Sequence, residues 1–169
     1  ANSVIYDVYV QSDCGGGDLG QWIGPITFYT LDDLGFLVWD STCTTPFEDI
    51  SATGEALGLG DDGEVGKTLP FYFQLDDEFS NEITIGNNGG INFGTLTGAV
   101  GTGGSISGAD NGMYPFWDDI NDNGDNVYYE VLGSAPNRRA IIQWNEVDHY
   151  SGGGSATFEL ILYEGTNEI

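Results

Sequence analysis

Residue types and spacing come closest to a working site in the segment DINDNGDNVYYE, Asp119 to Glu130. It fits the pattern D-x-[DN]-x-[DN]-G-x5-E at every specified position, the spacing with which a loop wraps oxygen ligands around a calcium ion. Asp119, Asn121 and Asn123 offer side-chain oxygens, Asp125 a backbone carbonyl, Gly124 the sharp turn, and Glu130 a bidentate carboxylate. Asp118 is available as an extra ligand. The flanks argue against a helix–loop–helix site, because VYYE reads as a strand and an extended chain carries Glu130 away from the ion. The segment is therefore expected to be either a calcium loop on a β scaffold or an Asx-rich hairpin turn whose Asn and Asp side chains cap local amides.

Other chemistries find less support. The turn LGLGDDGEVG brings Asp61, Asp62 and Glu64 together without metal-like spacing and reads as a solvated loop, and Asp76 to Glu78 is weaker still. The one histidine, His149, follows Asp148, but neighbours on a strand face opposite ways, and no Ser or Cys sits in a recognisable nucleophile turn. Glu146 and Glu159 could form the carboxylate pair of a glycosidase, yet with 27 acidic residues some pairing is inevitable. No catalytic residue is assigned, and the chain reads as non-enzymatic. In YPFWDD, Tyr114, Trp117 and Asp118 make a candidate ligand-binding set, since exposed rings stack on sugar faces while carboxylates bind hydroxyls; ordinary core packing is the alternative.

The elements that must carry these residues are strands. Short runs rich in Val, Ile, Thr, Tyr and Phe recur between Gly, Asn, Asp and Ser clusters, which predicts an antiparallel all-β fold. The runs are Ser3 to Val10, Pro25 to Leu31, Gly35 to Asp40, Thr68 to Leu75, Glu82 to Gly86, Gly90 to Gly94, Asn126 to Gly133, Arg139 to Val147 and Ala156 to Glu164. So many strands need two packed sheets or a barrel, and a jelly-roll-like β-sandwich is the expectation. In the last run Phe158, Leu160 and Leu162 share the core face, while Thr157, Glu159, Ile161 and Tyr163 share a partly covered one. In the run before it, Trp144 reads as a core anchor.

At 169 residues the chain suits a single domain spanning 1–169, made of an N-terminal region, residues 1–46, and a larger remainder, residues 47–169. Three Lys and Arg against 27 Asp and Glu give a formal charge of −24, while 40% hydrophobic and 13% aromatic residues argue for a folded chain. Such a surface repels phosphate backbones and anionic lipid, so nucleic-acid binding and membrane insertion are not expected, whereas divalent cations are attracted. No apolar run approaches the roughly 20 residues that cross a bilayer, and a secretion signal, if the protein is exported, would precede Ala1. Cys14 and Cys43 lie in polar turn sequence; their even number and flanks favour a disulfide in an oxidising compartment over two free thiols.

From Phe47 onward, FEDISATGEALGLGDDGEVGKTLPFYF, ITIGNNGGINFG, YPFWDD, VYYEVLGSAPNRRAIIQWNEV and ATFELILYEGTNEI together resemble a module of large secreted and surface proteins of bacteria, akin to the nidogen-type extracellular domain. The resemblance implies a β-sandwich and an extracellular setting, supplies no catalytic residues, and leaves Ala1 to Thr45 unaccounted for. It also implies a further strand after LYEGTN, which the N-terminal segment or a neighbouring molecule would have to supply. The expected function is a structural module, a filament subunit or surface-protein segment joined by β-strand complementation to itself or to neighbouring modules. A calcium-dependent adhesin module that binds a glycan or peptide is the alternative.

Overall fold

The computed structural model describes residues 46–75, 78–94, 100, 111–121 and 126–169, together with the backbone of strands at 4–10 and 23–30. Cys14, Cys43, Asp76, Asn123, Gly124 and Asp125, and the strand expected at Gly35 to Asp40, lie outside the described residues. The chain divides into two compact units, Ala1–Val38 and Trp39–Ile169. In the first unit, β1 (Val4–Val10) pairs antiparallel with β2 (Ile23–Thr30).

The second unit is an all-β sandwich. One sheet runs in the order β11 (Ser155–Tyr163), β10 (Arg139–His149), β9 (Val127–Leu132), β3 (Glu55–Ala56), with β8 (Ile120–Asn121) pairing the far end of β10. The other runs β4 (Glu64–Leu75), β5 (Glu78–Gly86), β6 (Ile91–Phe93), β7 (Gly112–Met113). All these pairings are antiparallel.

Period-two alternation decides which face is core. In β4, Leu69, Phe71, Phe73 and Leu75 are buried, whereas Thr68, Pro70, Tyr72 and Gln74 are exposed. Those inward residues meet Ile83, Ile85, Ile91 and Phe93 of their own sheet and Val127, Ile142, Trp144, Leu160 and Leu162 of the other. Trp144 is wholly buried, stacks on Phe158 with ring centroids 4.9 Å apart, and donates its indole N–H to the Gly86 carbonyl at 3.0 Å. The outer face of β10 and β11 carries a second small cluster, Ile50, Ile141 and Ile161. Residues 46–50 strap across this face: the Ile50 N–H donates to Gln143 Oε1 at 2.6 Å, and the Glu48 N–H to the Glu159 carboxylate. The strap explains why Gln143, polar and outward by alternation, is fully buried.

Each of the chain's three cations is held by a carboxylate. Lys67 Nζ reaches Glu55 Oε1 at 2.7 Å, Arg139 grips Glu48, and Arg138 forks onto Glu164 while lying over the Phe71 ring. The Arg138 guanidinium, helped by the Arg138 backbone N–H, holds the Glu164 carboxyl down at about 2, below its ordinary value of 4.5. A carboxyl whose folded pKa is depressed adds stability above the unfolded value and loses it as pH falls through the folded one. The thermal midpoint is therefore expected to drop between pH 4.5 and about 2, and Glu164→Gln should flatten that stretch of the pH–Tm curve. A parallel, merely displaced curve for the variant would remove Glu164 from the account of acid stability.

Candidate functional site

Four connections are tied together by hydrogen bonds at one end of the sandwich. The turn Gly60–Gly63 closes with the Gly63 N–H on the Gly60 carbonyl at 2.8 Å, and places Asp62 in the left-handed region at φ 56°. The turn between β5 and β6, Asn87-Asn88-Gly89-Gly90, closes with the Gly86 N–H on the Gly90 carbonyl at 2.9 Å. The segment leading into β8 carries Asp118 and Asp119, and the β10–β11 hairpin carries His149, Tyr150 and Gly152–Gly154.

Asn87 and Asn88 do most of the tying, and both are wholly buried. The Asn88 amide donates to Asp62 Oδ1 at 3.1 Å, and its Oδ1 accepts the Ile120 N–H at 2.6 Å. The Asn87 N–H donates to the Gly63 carbonyl at 3.0 Å, and the Asn87 side-chain amide to the Ile120 carbonyl at 2.7 Å. A short carboxamide suits this position because it offers a donor and an acceptor to backbone groups that no strand ladder satisfies. The Tyr150 N–H donates to the Asp119 carbonyl at 2.8 Å, which joins the hairpin to the same assembly.

The result is a group of three exposed carboxylates, Asp61, Asp62 and Asp119, with oxygens all within 4.8 Å of one another. Hard oxygen donors gathered this closely are the ligand type that calcium takes. Among the described carboxylates of the calcium pattern, Asp119 is in this group and Glu130 is not. Asn121 sits in β8 opposite Asp148. Glu130 lies on β9, where its Oε2 accepts the Thr53 hydroxyl at 2.6 Å. Asp61 and Asp62 have no metal-like spacing in the sequence, and the linear pattern passes over them. The signal that could have found them is positional, since both the GDDG turn and the PFWDD segment abut strands ending at the same edge of the fold.

The two rings of the aromatic set touch each other, and both are half-buried. The Tyr114 and Trp117 rings meet edge to face, with centroids 4.9 Å apart, and cover Gly90, where a Cβ would stand 2.6 Å from the Tyr114 ring. The Tyr114 hydroxyl donates to Asn92 Oδ1 at 3.0 Å. Asp118 faces His149, with Oδ1 3.4 Å from Nε2, and His149 Nδ1 lies 2.9 Å from Ser151 Oγ. The Ser151 backbone N–H shares that nitrogen at 3.2 Å, so the histidine–serine contact is a local turn of the hairpin. A groove of about 350 Å³ runs beside Phe116, Asp118, His149 and the glycines. Away from this end, burial pushes the Glu159 carboxyl up; the Glu48 N–H opposes that, and the charges of Glu48 and Asp49 add to it.

Fold and site together define a two-sheet antiparallel β-sandwich module with an acidic, asparagine-braced end. The family described as NIDO related matches residues 40–169, and the chain belongs to that family. Domains of this nidogen-related kind are structural or accessory modules, typically extracellular and not known as enzymes. No curated protein and no solved structure matches the chain. Among the described residues, no helix is long and apolar enough to cross a membrane.

Proposed function

We propose that the chain is a non-enzymatic structural module of an extracellular assembly, joined to its own copies or to neighbouring modules by β-strand addition at the outer edge of β11. The observation that carries this reading is the position of β11, which ends its sheet with no described strand on its outer side. Only at its last residue does another stretch of the chain approach that edge with a backbone hydrogen bond among the described residues, from the Tyr163 N–H to the Glu168 carbonyl at 3.1 Å. An unpaired row of backbone donors and acceptors is a template for another strand. The long edge strand of the other sheet, β4, is a poorer acceptor. Its ladder is interrupted between Thr68 and Phe73, where Pro70 lacks an N–H, and Asn167 Oδ1 takes the Gln74 N–H at 3.1 Å.

Copies carrying a formal charge of −24 repel one another, so association strengthens as salt screens them. Negative-stain microscopy of the full chain in high salt is expected to show regular fibres, and deletion of Ala1 to Val10, the candidate donor strand, to abolish them. Fibres that persist in the deletion would sink the donor assignment, and dispersed chains at every salt concentration would sink self-association. In that second event the reading of a calcium-dependent adhesin module takes over. The groove beside Phe116, Asp118 and His149 favours it, with a glycan or peptide as ligand.

A further inference from the structure

We infer that Asp61, Asp62 and Asp119 form a calcium site that joins the Gly60–Gly63 turn to the strand entry at Ile120, with Asn87 as its buried oxygen donor. The three carboxylates come from segments far apart in sequence and converge to within 4.8 Å. Oxygens on opposite sides of a calcium ion lie about 4.6 to 5.2 Å apart, twice the calcium–oxygen distance, so this spacing suits a shared ion.

The carboxylates alone would not make a site; the second observation is Asn87. This side chain has no exposed surface, and its Oδ1 has no hydrogen-bond partner. Asn87 is anchored on both sides of the cluster: its backbone N–H binds Gly63, the residue after Asp62, and its amide binds Ile120, the residue after Asp119. The carboxamide therefore spans the gap between the two acid-bearing segments with a buried acceptor that lacks a donor. A buried carbonyl oxygen without a donor is unfavourable, and a cation is a partner that satisfies it. Turning the amide over does not help, because it would set Oδ1 against the Ile120 carbonyl. No cationic side chain serves the cluster either, since Lys67, Arg138 and Arg139 are engaged by Glu55, Glu164 and Glu48.

The site differs from the loop that the linear pattern implies, because it takes Asp119 from that pattern and leaves out Glu130. It holds whether or not the chain self-associates. The test is calorimetric titration of the chelator-treated full chain with calcium chloride at constant ionic strength. Saturable binding of one ion is expected, with affinity reduced about 10-fold or more in Asp62→Asn and in Asp119→Asn and unchanged in Glu130→Gln. The folded state of each variant is checked by far-ultraviolet circular dichroism. As a second readout, calcium should raise the thermal midpoint of the native chain above that in sodium chloride of equal ionic strength, and should fail to do so for Asp119→Asn. Absence of saturable heat, or binding that survives Asp119→Asn and is lost in Glu130→Gln, would overturn the assignment.

Discussion

Trp144→Ala is expected to destabilise the sandwich by about 3 to 5 kcal/mol, the range for deleting a large buried aromatic. Three losses coincide at this residue. The indole is wholly buried between the sheets, its stack on Phe158 disappears, and the Gly86 carbonyl loses the indole N–H that meets it at 3.0 Å. That hydrogen bond links β10 of one sheet to the end of β5 in the other, so its loss also loosens the neighbouring Asn87–Gly90 turn. Urea denaturation monitored by circular dichroism gives the figure. Trp144→Phe separates the contributions, because it retains most of the apolar volume and removes only the donor; it should cost less than half as much. Equal losses in the two variants would mean that the hydrogen bond, and not the volume, holds the sheets together here.

The second large effect is expected at Gly89, where alanine should cost about 2 to 4 kcal/mol, summed from backbone strain and overpacking. Gly89 adopts φ +86°, and a Cβ placed there would lie 1.7 Å from the Phe116 carbonyl oxygen, a backbone atom that no side-chain rotation can move aside. To admit the methyl group the turn must separate from the 114–118 segment, which would pull Asn88 away from Asp62 and Ile120. Gly152 provides the control. Its φ of +82° is almost the same, but a Cβ there meets nothing within 4 Å. Gly152→Ala should therefore show only the conformational strain of a left-handed alanine, about 1 kcal/mol. Thermal melts of the two variants that coincide would show that the close approach to Phe116 contributes nothing.

The sandwich is legible in the sequence where strands are long enough to show their period. Leu160 and Leu162 of β11 lie inward as alternation requires, and so do Ile142 and Trp144 of β10. β3, β7 and β8 are not legible, because two residues define no period. Gln143 illustrates a different limit. Alternation places it outward correctly, but its burial depends on the strap at 46–50, which approaches only through the tertiary fold.

The acidic end is half legible for a related reason. A linear pattern assumes that one loop supplies all the ligands, so it selects Asp119 together with Glu130. The fold instead brings Asp119 to Asp61 and Asp62 through Asn88, a residue whose sequence context announces only a turn. The nidogen-type resemblance is read from Phe47 onward, and the family match extends over residues 40–169.

The pairing of every lysine and arginine also bears on how the molecule survives digestion. Proteases of trypsin-like specificity need a basic residue on a strip of chain that can lie extended and free in their cleft. This sequence offers three such residues, and none precedes Lys67. Lys67 is laced into β4 opposite Ile83, Arg139 opens β10 opposite Tyr163, and the Arg138 backbone is bound from both sides by Glu164. Cutting at any of them requires the sandwich to open first, so the rate of digestion is set by unfolding and not by encounter with the enzyme.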